Sequence, residues 1–321
     1  MPEYTKCNLC GSSETKFLFQ AADYEYYPNE KFCLVKCPDC GLVFINPRPN
    51  QAEMAKYYPL EYHREYGPGR KDWQFLRIDK TDFTGRLKKN PGKILDIGCQ
   101  KGYFLKSMQD RGWQTYGADI SDFACAYARD ELGLEHVYSG DLLNMDFAPE
   151  YFDLVTLWES LEHLHDPLAT LKKARQIIKN DGYLIIECPN FSSFSSRLFK
   201  EKWYSLQPSR HLYHFSPATL SRMLSEAGFR VVKIDHWAQF LMGMVDLKIN
   251  ILRWLKLYSG LEAKPQEGSG GIAILRREKI IWLATREIFN FFCFILAGLC
   301  AFLSSAAVIC IIARPKNKKK R

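Results

Sequence analysis

The stretch KILDIGCQKGYFLKSMQDRG, residues 93–112, decides the fold. KILDI (93–97) is a short, largely apolar run of the kind that fills a buried strand. Gly98 and Gly102 then bracket a turn, and YFLKSMQDRG continues with helical character. Strand, glycine turn and helix together let backbone N–H groups and a helix N-terminus approach a ligand. Asp96, at the strand end, is placed to organise that loop. The spacing sorts the cofactors. A dinucleotide fingerprint needs G-x-G-x-x-G, but Gln100 and Tyr103 occupy the second and third glycine positions. A phosphate loop, G-x-x-x-x-G-K-[ST], is absent too. What remains is D-x-G-x-x-x-G.

Further strand-like runs follow at regular intervals. WQTYGAD (113–119) reads as a second strand, and a third, short strand ends at Gly140-Asp-Leu142. YFDLVTL (151–157) is a fourth and leads into Trp158-Glu-Ser-Leu-Glu-His163-Leu-His-Asp-Pro167, a loop and helix start. YLIIEC (183–188) and RVVKIDHW (230–237) are a fifth and a sixth. Strands alternating with helix-length segments predict an α/β fold with a mostly parallel sheet. Upstream, Trp73–Leu87 suits an entry helix and Asn90-Pro-Gly92 turns the chain.

This order of elements behind D-x-G-x-x-x-G resembles the class I S-adenosylmethionine-dependent methyltransferases. Five phrases narrow the resemblance: an opening C-x-x-C, CPDCGLVFINPRP (37–49), ILDIGCQKGYFL, LWESLEHLHDP (157–167) and RHLYHFSPATL (210–220). Together they look like the zinc-ribbon subgroup often associated with surface-polysaccharide or small-metabolite biosynthesis. The resemblance covers about residues 5–237. It implies a Rossmann-like seven-stranded sheet and S-adenosylmethionine as cofactor. The methionine end would lie on the loop Asp96, Gly98 and Gly102. Asp119, 23 residues after Asp96, would take the ribose, with Ile120 beside it. Asp141 and Leu142 would flank the adenine, and Trp158 would wall the pocket. One departure stands out: the family usually has Gly where this chain has Gln100. If that position needs a positive φ, Gln costs about 1 kcal/mol.

Methyl transfer from a sulfonium is an in-line displacement, so the acceptor must lose a proton. A histidine near neutral pKa suits that task. His211 and His214, in PSRHLYHFS (208–216), are the candidate bases. Enzymes of the resembling kind that methylate sugars can use a histidine in this region. No neighbouring carboxylate or C-x-x-C accompanies the two in sequence, which argues against a metal there. Glu162-His163 would cap a helix or organise the site.

CNLC (7–10) and CPDC (37–40) are two knuckles that can close a tetrahedral four-thiolate site for structural Zn2+, with Cys7, Cys10, Cys37 and Cys40 as ligands. Gly41 is the small residue such a turn favours. LVKC and LVFIN supply two strands around the second knuckle, and Cys33 is a substitute ligand. A module of this size buries little core, so a metal staple makes physical sense. The other cysteines read as small buried hydrophobes. Asn46-Pro-Arg-Pro-Asn50 is a stiff linker, followed by a short helix (about 51–58) and the aromatic-rich loop YYPLEYHREYGPGR (57–70).

With 321 residues, 47% hydrophobic and 25% charged, the chain holds one α/β domain plus a small module. That composition excludes a disordered or collagen-like chain, and a mean hydropathy of −0.26 excludes a polytopic membrane protein. MPEYTKCNLC has no basic-then-apolar leader, so a cytosolic location is expected. The net charge is +8, but RPKNKKKR (314–321) contributes six of it and leaves +2 on the rest. An RNA methyltransferase would carry its excess on a folded face, so a sugar or other small molecule is the expected acceptor. RNA methylation and a non-catalytic cofactor-binding protein at a membrane are the alternatives.

Residues 288–313 contain no charge. AVICIIAR (307–314) fits the last antiparallel strand that the resemblance implies. The apolar helix before it, about 288–303, would span only ~24 Å at 1.5 Å per residue, short of a bilayer core. It reads as a membrane-surface element on the cytosolic face. A buried or homodimer contact is the alternative, and a true span the third. The expected organisation is a zinc ribbon (1–48), a methyltransferase core (49–258), a linker with an apolar helical insert (259–306) and a final strand with a basic tail (307–321).

Overall fold

The computed structural model describes residues 2–24, 26–58, 90–236, 240–255 and 275–316, together with 80, 81, 84, 85, 87 and 88. The first half of the chain forms β1 (Lys16–Asp23), β2 (Tyr27–Lys36), β3 (Val43–Ile45), β4 (Lys93–Ile97), α1 (Tyr103–Gln109), β5 (Gln114–Asp119), α2 (Asp122–Asp130), β6 (His136–Ser139) and β7 (Phe152–Trp158). The second half forms α3 (Pro167–Ile177), β8 (Ile178–Pro189), α4 (Phe194–Phe199), β9 (Tyr213–His214), α5 (Pro217–Glu226), β10 (Phe229–Asp235), α6 (Phe240–Trp254), α7 (Leu275–Phe302) and β11 (Val308–Pro315).

Seven strands form one sheet in the order β10-β11-β8-β7-β4-β5-β6. From β8 across to β6 all neighbours run parallel. β11 runs antiparallel to both β8 and β10, the direction that the resemblance implies for AVICIIAR. The chain builds outward from β4 through β5 to β6, then returns to β7 on the other side of β4. Such a reversal opens a crevice at the carboxyl ends of the strands, where ligands bind in α/β sheets. Buried side chains hold the centre: Ile94 and Leu95 of β4, every residue of β7, and Leu184 to Ile186 of β8.

The helices start where capping residues allow. Ser121 Oγ accepts from the Ala124 N–H ahead of α2, and Asp166 caps α3 through the Ala169 N–H, with Pro167 in the first turn. Ser216 and Thr219 cap α5 reciprocally, again with a proline in the first turn. Proline there loses no intrahelical donor, and each side-chain cap contributes about 1 kcal/mol.

β1, β2 and β3 belong to a second, antiparallel sheet. Its fourth strand is β9, contributed by the chain more than 160 residues later, with Val43 opposite His214 and Phe44 opposite Tyr213. The two sheets share one apolar core: Leu42, Phe44 and Ile45 pack in the same cluster as Leu212, Phe215 and Ile186. The short helix expected near 51–58 is a single 3-10 turn, Met54–Tyr57.

α7 is longer than expected: it begins at Leu275 and includes the charged sequence before Ile288. Its last turns pack on α6 through Cys293, Ala297 and Ala301, all buried, and the chain then enters the sheet as β11. Among the described residues no helix is long and apolar enough to cross a membrane. The true-span alternative is therefore set aside, because one face of this helix is already packed on protein. The bulk of the aromatic loop, most of the Trp73–Leu87 stretch, the linker 259–271 and the basic end 317–321 lie outside the described residues.

Candidate active site

The loop after β4 takes a left-handed backbone at Gly98 (φ 77°), Gln100 (φ 47°) and Gly102 (φ 75°). Gln100 thus occupies the conformation that its departure from glycine put in question. The Gly98 and Cys99 N–H groups donate to the Ala118 carbonyl at 2.7 and 3.2 Å, pinning the loop to β5. A Cβ at Gly98 would run into the Ser160 side chain, and one at Gly102 would press on Leu134 and Ala128. The glycines are therefore needed for backbone shape and also for close approach.

Asp119 closes the same loop. Its Oδ2 accepts from the Gln100 N–H at 2.8 Å and its Oδ1 from the Ser121 N–H at 2.9 Å. Ile120, directly after it, is 64% exposed at the strand end. Asp141 follows β6 and accepts from the Leu143 N–H at 2.9 Å, while the Leu142 side chain is buried in the core. Asp96 is buried and accepts from Thr156 Oγ1 of β7 at 2.7 Å, bridging the switch point. Burial pushes its carboxyl up to about 7, against the opposing effects of Thr156 and the Lys80 charge.

Beside this loop lies a cluster of buried acidic residues, called here the acidic chamber. Trp158 ends β7 with its ring edge-on to Phe104 at 5.3 Å, and Lys80 Nζ sits 4.8 Å over the Trp158 ring. Lys80 pairs with Glu187 of β8 at 2.9 Å. Glu159 is another left-handed non-glycine residue (φ 51°), and its N–H donates to the Glu187 carbonyl at 2.9 Å. Burial, then repulsion from Glu187, pushes its carboxyl up to about 8. Glu162 is buried, and neither of its carboxylate oxygens has a hydrogen-bond partner among the described residues. Burial, followed by the Glu159 charge, pushes it well above the carboxylate range. Lys80 and Glu187 were not singled out in the sequence. The legible signal for Glu187 was a charge inside the apolar run YLIIEC.

The 3-10 turn Leu161–His163 aims His163 at the same chamber. Its Nδ1 lies 3.1 Å from the Tyr58 hydroxyl, and its ring meets His211 edge-to-face at 4.6 Å. His211 Nδ1 is 3.0 Å from the Ser205 carbonyl. A carbonyl only accepts, so Nδ1 carries the proton and Nε2 keeps its lone pair. Glu162, His163 and His211 each offer a donor atom, all within 4.8 Å of one another. Such a set could hold a shared proton or a divalent ion. Folding brings Glu162 beside His211 from a distant segment, a carboxylate that the sequence around His211 lacks.

His214 sits on β9, buried, 5.5 Å from the Phe191 ring, and its Nε2 has no hydrogen-bond partner among the described residues. Burial holds His214 at about 3 and His163 at about 3. Burial, then the neighbouring His163, keeps His211 well below its ordinary value. Burial thus lowers all three imidazoles below the near-neutral pKa expected of a base.

Cys7, Cys10, Cys37 and Cys40 form a second donor cluster, all Sγ atoms within 4.8 Å of one another. Cys7 and Cys40 are 3.4 Å apart, and Cys10 and Cys37 3.5 Å. A tetrahedral zinc with Zn–S of about 2.3 Å asks for edges of about 3.8 Å, so the four thiols fit the ion. Each knuckle turns on a left-handed glycine: Gly11 N–H donates to Cys7 O at 2.8 Å and Gly41 N–H to Cys37 O at 3.0 Å. Cys33, considered as a substitute ligand, lies outside the cluster and accepts from Gln20 Nε2. The knuckles grip the catalytic body. Asn8 Nδ2 donates to Asp166 Oδ1 at 2.9 Å, and Arg48 Nη1 donates to the Tyr213 hydroxyl and the His165 carbonyl, both at 2.8 Å.

Residues 69–234, just over half of the chain, match the family described as "Methyltransferase domain". An Azoarcus protein named ubiquinone biosynthesis O-methyltransferase is 30% identical over 208 residues, which cover 60% of this chain and 88% of that one. A Nitrosospira multiformis protein of the same name is 31% identical over 176 residues, 50% of this chain and 70% of that one. Among solved structures, a SAM-dependent methyltransferase from Archaeoglobus fulgidus aligns with 20% identity and a TM-score of 0.47, over 75% of this chain and 93% of that chain. With the glycine loop, the strand order and the family match in agreement, the chain belongs to the class I S-adenosylmethionine-dependent methyltransferases.

Proposed function

We propose that this methyltransferase acts in the cytosol on an oxygen of a small-molecule acceptor, a sugar or a metabolite of similar size. The acidic cluster beside the glycine loop carries the reading: among the described residues Asp96, Glu159, Glu162 and Glu187 group around Lys80. That excess of carboxylate suits a cation. Bound S-adenosylmethionine supplies a positively charged sulfonium with an electrophilic methyl group. Asp96, Gly98 and Gly102 would hold its methionine end, Asp119 and Ile120 its ribose, and Asp141 and Leu142 its adenine. Trp158 would wall the pocket toward the acceptor.

Methylation of a hydroxyl requires it to give up a proton, which His211 would take on Nε2, with His214 as the second candidate. Alignment of acceptor and donor supplies most of the acceleration. The relatives' printed name supports oxygen as the nucleophile, and the motif resemblance supports a sugar. Zn2+ on Cys7, Cys10, Cys37 and Cys40 is structural, because a four-cysteine site has no open position.

The test is transfer of labelled methyl to a panel of nucleotide sugars and phenolic metabolites. His211→Ala should lower turnover about 10²–10⁴-fold and leave cofactor affinity within about threefold. Full turnover by both His211→Ala and His214→Ala with the true acceptor would sink the base assignment.

A further inference from the structure

The amphipathicity of α7 over its last turns is inverted. The side turned to the protein carries small residues, Cys293, Ala297 and Ala301, all buried. The side turned outward carries large ones. Phe291, Ile295, Leu299 and Phe302 follow the i, i+4, i+8, i+11 line along one face, and Phe291 and Phe302 are 66% and 75% exposed. Phe292 and Leu303 widen the stripe on the same side. A helix that serves only a soluble core turns its bulky apolar residues inward. This one does the reverse.

The start of α4 lies next to the end of α7. The Phe194 N–H donates to the Ser305 carbonyl at 3.1 Å, which sets the start of α4 against the end of α7. Phe194 and Leu198 are exposed there, as is Arg197, and Lys200 and Lys202 follow, also exposed. Glu201 is the one acid within this stretch, and no charged residue occurs from Ile288 to Ala313. The rim beside the stripe is therefore cationic.

We propose that this face docks the enzyme onto an anionic lipid surface. α7 would lie in the interfacial plane, with its phenylalanines in the acyl boundary and Arg197, Lys200 and Lys202 on the headgroups. The stripe runs about 18 Å from Phe291 to Leu303 at 1.5 Å per residue, a length that lies in the interface rather than across it. Charge argues against a second copy of the chain as the occupant. In a two-fold contact the same patch meets itself, and the cationic rims would face one another. Lipid phosphates meet that rim with the opposite sign.

The experiment is flotation of the full-length protein with vesicles of phosphatidylcholine alone and of phosphatidylcholine with 30–40% phosphatidylglycerol, at about 0.1 M salt, a Debye length of about 10 Å. The anionic vesicles should carry the protein up and the neutral ones should carry far less. Phe291→Asp with Phe302→Asp should abolish flotation, and Arg197→Ala with Lys202→Ala should weaken partitioning about fivefold per removed cation. Both variants change exposed side chains and should keep wild-type cofactor affinity and thermal midpoint, which separates lost docking from lost fold. Failure to float with anionic vesicles overturns the proposal, as does flotation unchanged in the Phe291→Asp, Phe302→Asp variant. A vesicle-blind dimer that this variant converts to monomer would overturn it in favour of a copy-to-copy interface.

Discussion

The backbone amide of Gln100 donates to Oδ2 of Asp119 at 2.8 Å, tying the tip of the glycine loop to the end of β5. Gln100 itself lies in the left-handed region, at φ 47°, where a side chain is unfavourable by about 1 kcal/mol. The loop therefore keeps its shape with the wrong residue type, held by an acceptor that is itself fixed by Ser121. The departure at this position strains the loop without removing it.

Gln100→Gly should consequently stabilise the protein slightly, by up to about 0.5 kcal/mol, the left-handed penalty less the added freedom of the unfolded chain. The Gln100 side chain is exposed, so cofactor affinity should hold or improve. A denaturant titration reads the first effect and calorimetry the second. Destabilisation would mean that the side chain, and not only the backbone, supports the loop.

Gly98→Ala should act in the opposite direction. The new methyl would meet Ser160 at a backbone of φ 77°, so the loop must shift. We expect a loss of at least about 1–2 kcal/mol in stability and at least tenfold weaker cofactor binding. Wild-type affinity in this variant would remove the loop from the binding site.

The acidic chamber sets a pH dependence. Asp96 and Glu159 hold their protons to about 7 and about 8 when folded, whereas in the unfolded chain they ionise near the ordinary carboxylate values. Between these values the folded state binds more protons, so the stability of the free enzyme should fall as pH rises from about 5 to 8. Binding of the sulfonium favours the ionised carboxylates. Its affinity should therefore rise over pH 6–9, while the uncharged thioether product should bind with a flatter profile. Parallel pH profiles for the two ligands would contradict a charge-matched chamber.

Zinc removal should separate two functions. β9 pairs with β3 of the ribbon and carries His214, and His211 lies just ahead of it. Chelation, or Cys37→Ser, should lower the thermal midpoint by several degrees and reduce turnover at least tenfold. Cofactor affinity should stay within about threefold, because the glycine loop is anchored to β5 and not to the ribbon. Equal loss of both would show that the ribbon supports the whole sheet.

Much of this was legible in the sequence. The strands stood out because KILDI, YFDLVTL and AVICIIAR are largely apolar runs, and a mostly parallel seven-stranded sheet with a last antiparallel strand followed from the motif resemblance. The two knuckles were legible because four thiols at paired spacing have few other uses. Lys80 and Glu187 were not, since a Lys on an entry helix and a Glu in a strand become partners only when long-range folding closes the chamber. The meeting of Glu162 and His163 with His211 was hidden for the same reason. So was the pairing of β9 with the ribbon, because a two-residue strand has no periodicity to read.

The central claim is that the loop from Asp96 to Gly102, Asp119 and the acidic chamber form a working S-adenosylmethionine site. The most direct test is calorimetric titration of S-adenosylmethionine and of its demethylated product into full-length protein, with zinc assayed on the same sample. The account predicts one site per chain, micromolar affinity for both ligands and about one zinc per chain. Folded, zinc-loaded protein that binds neither ligand would contradict it.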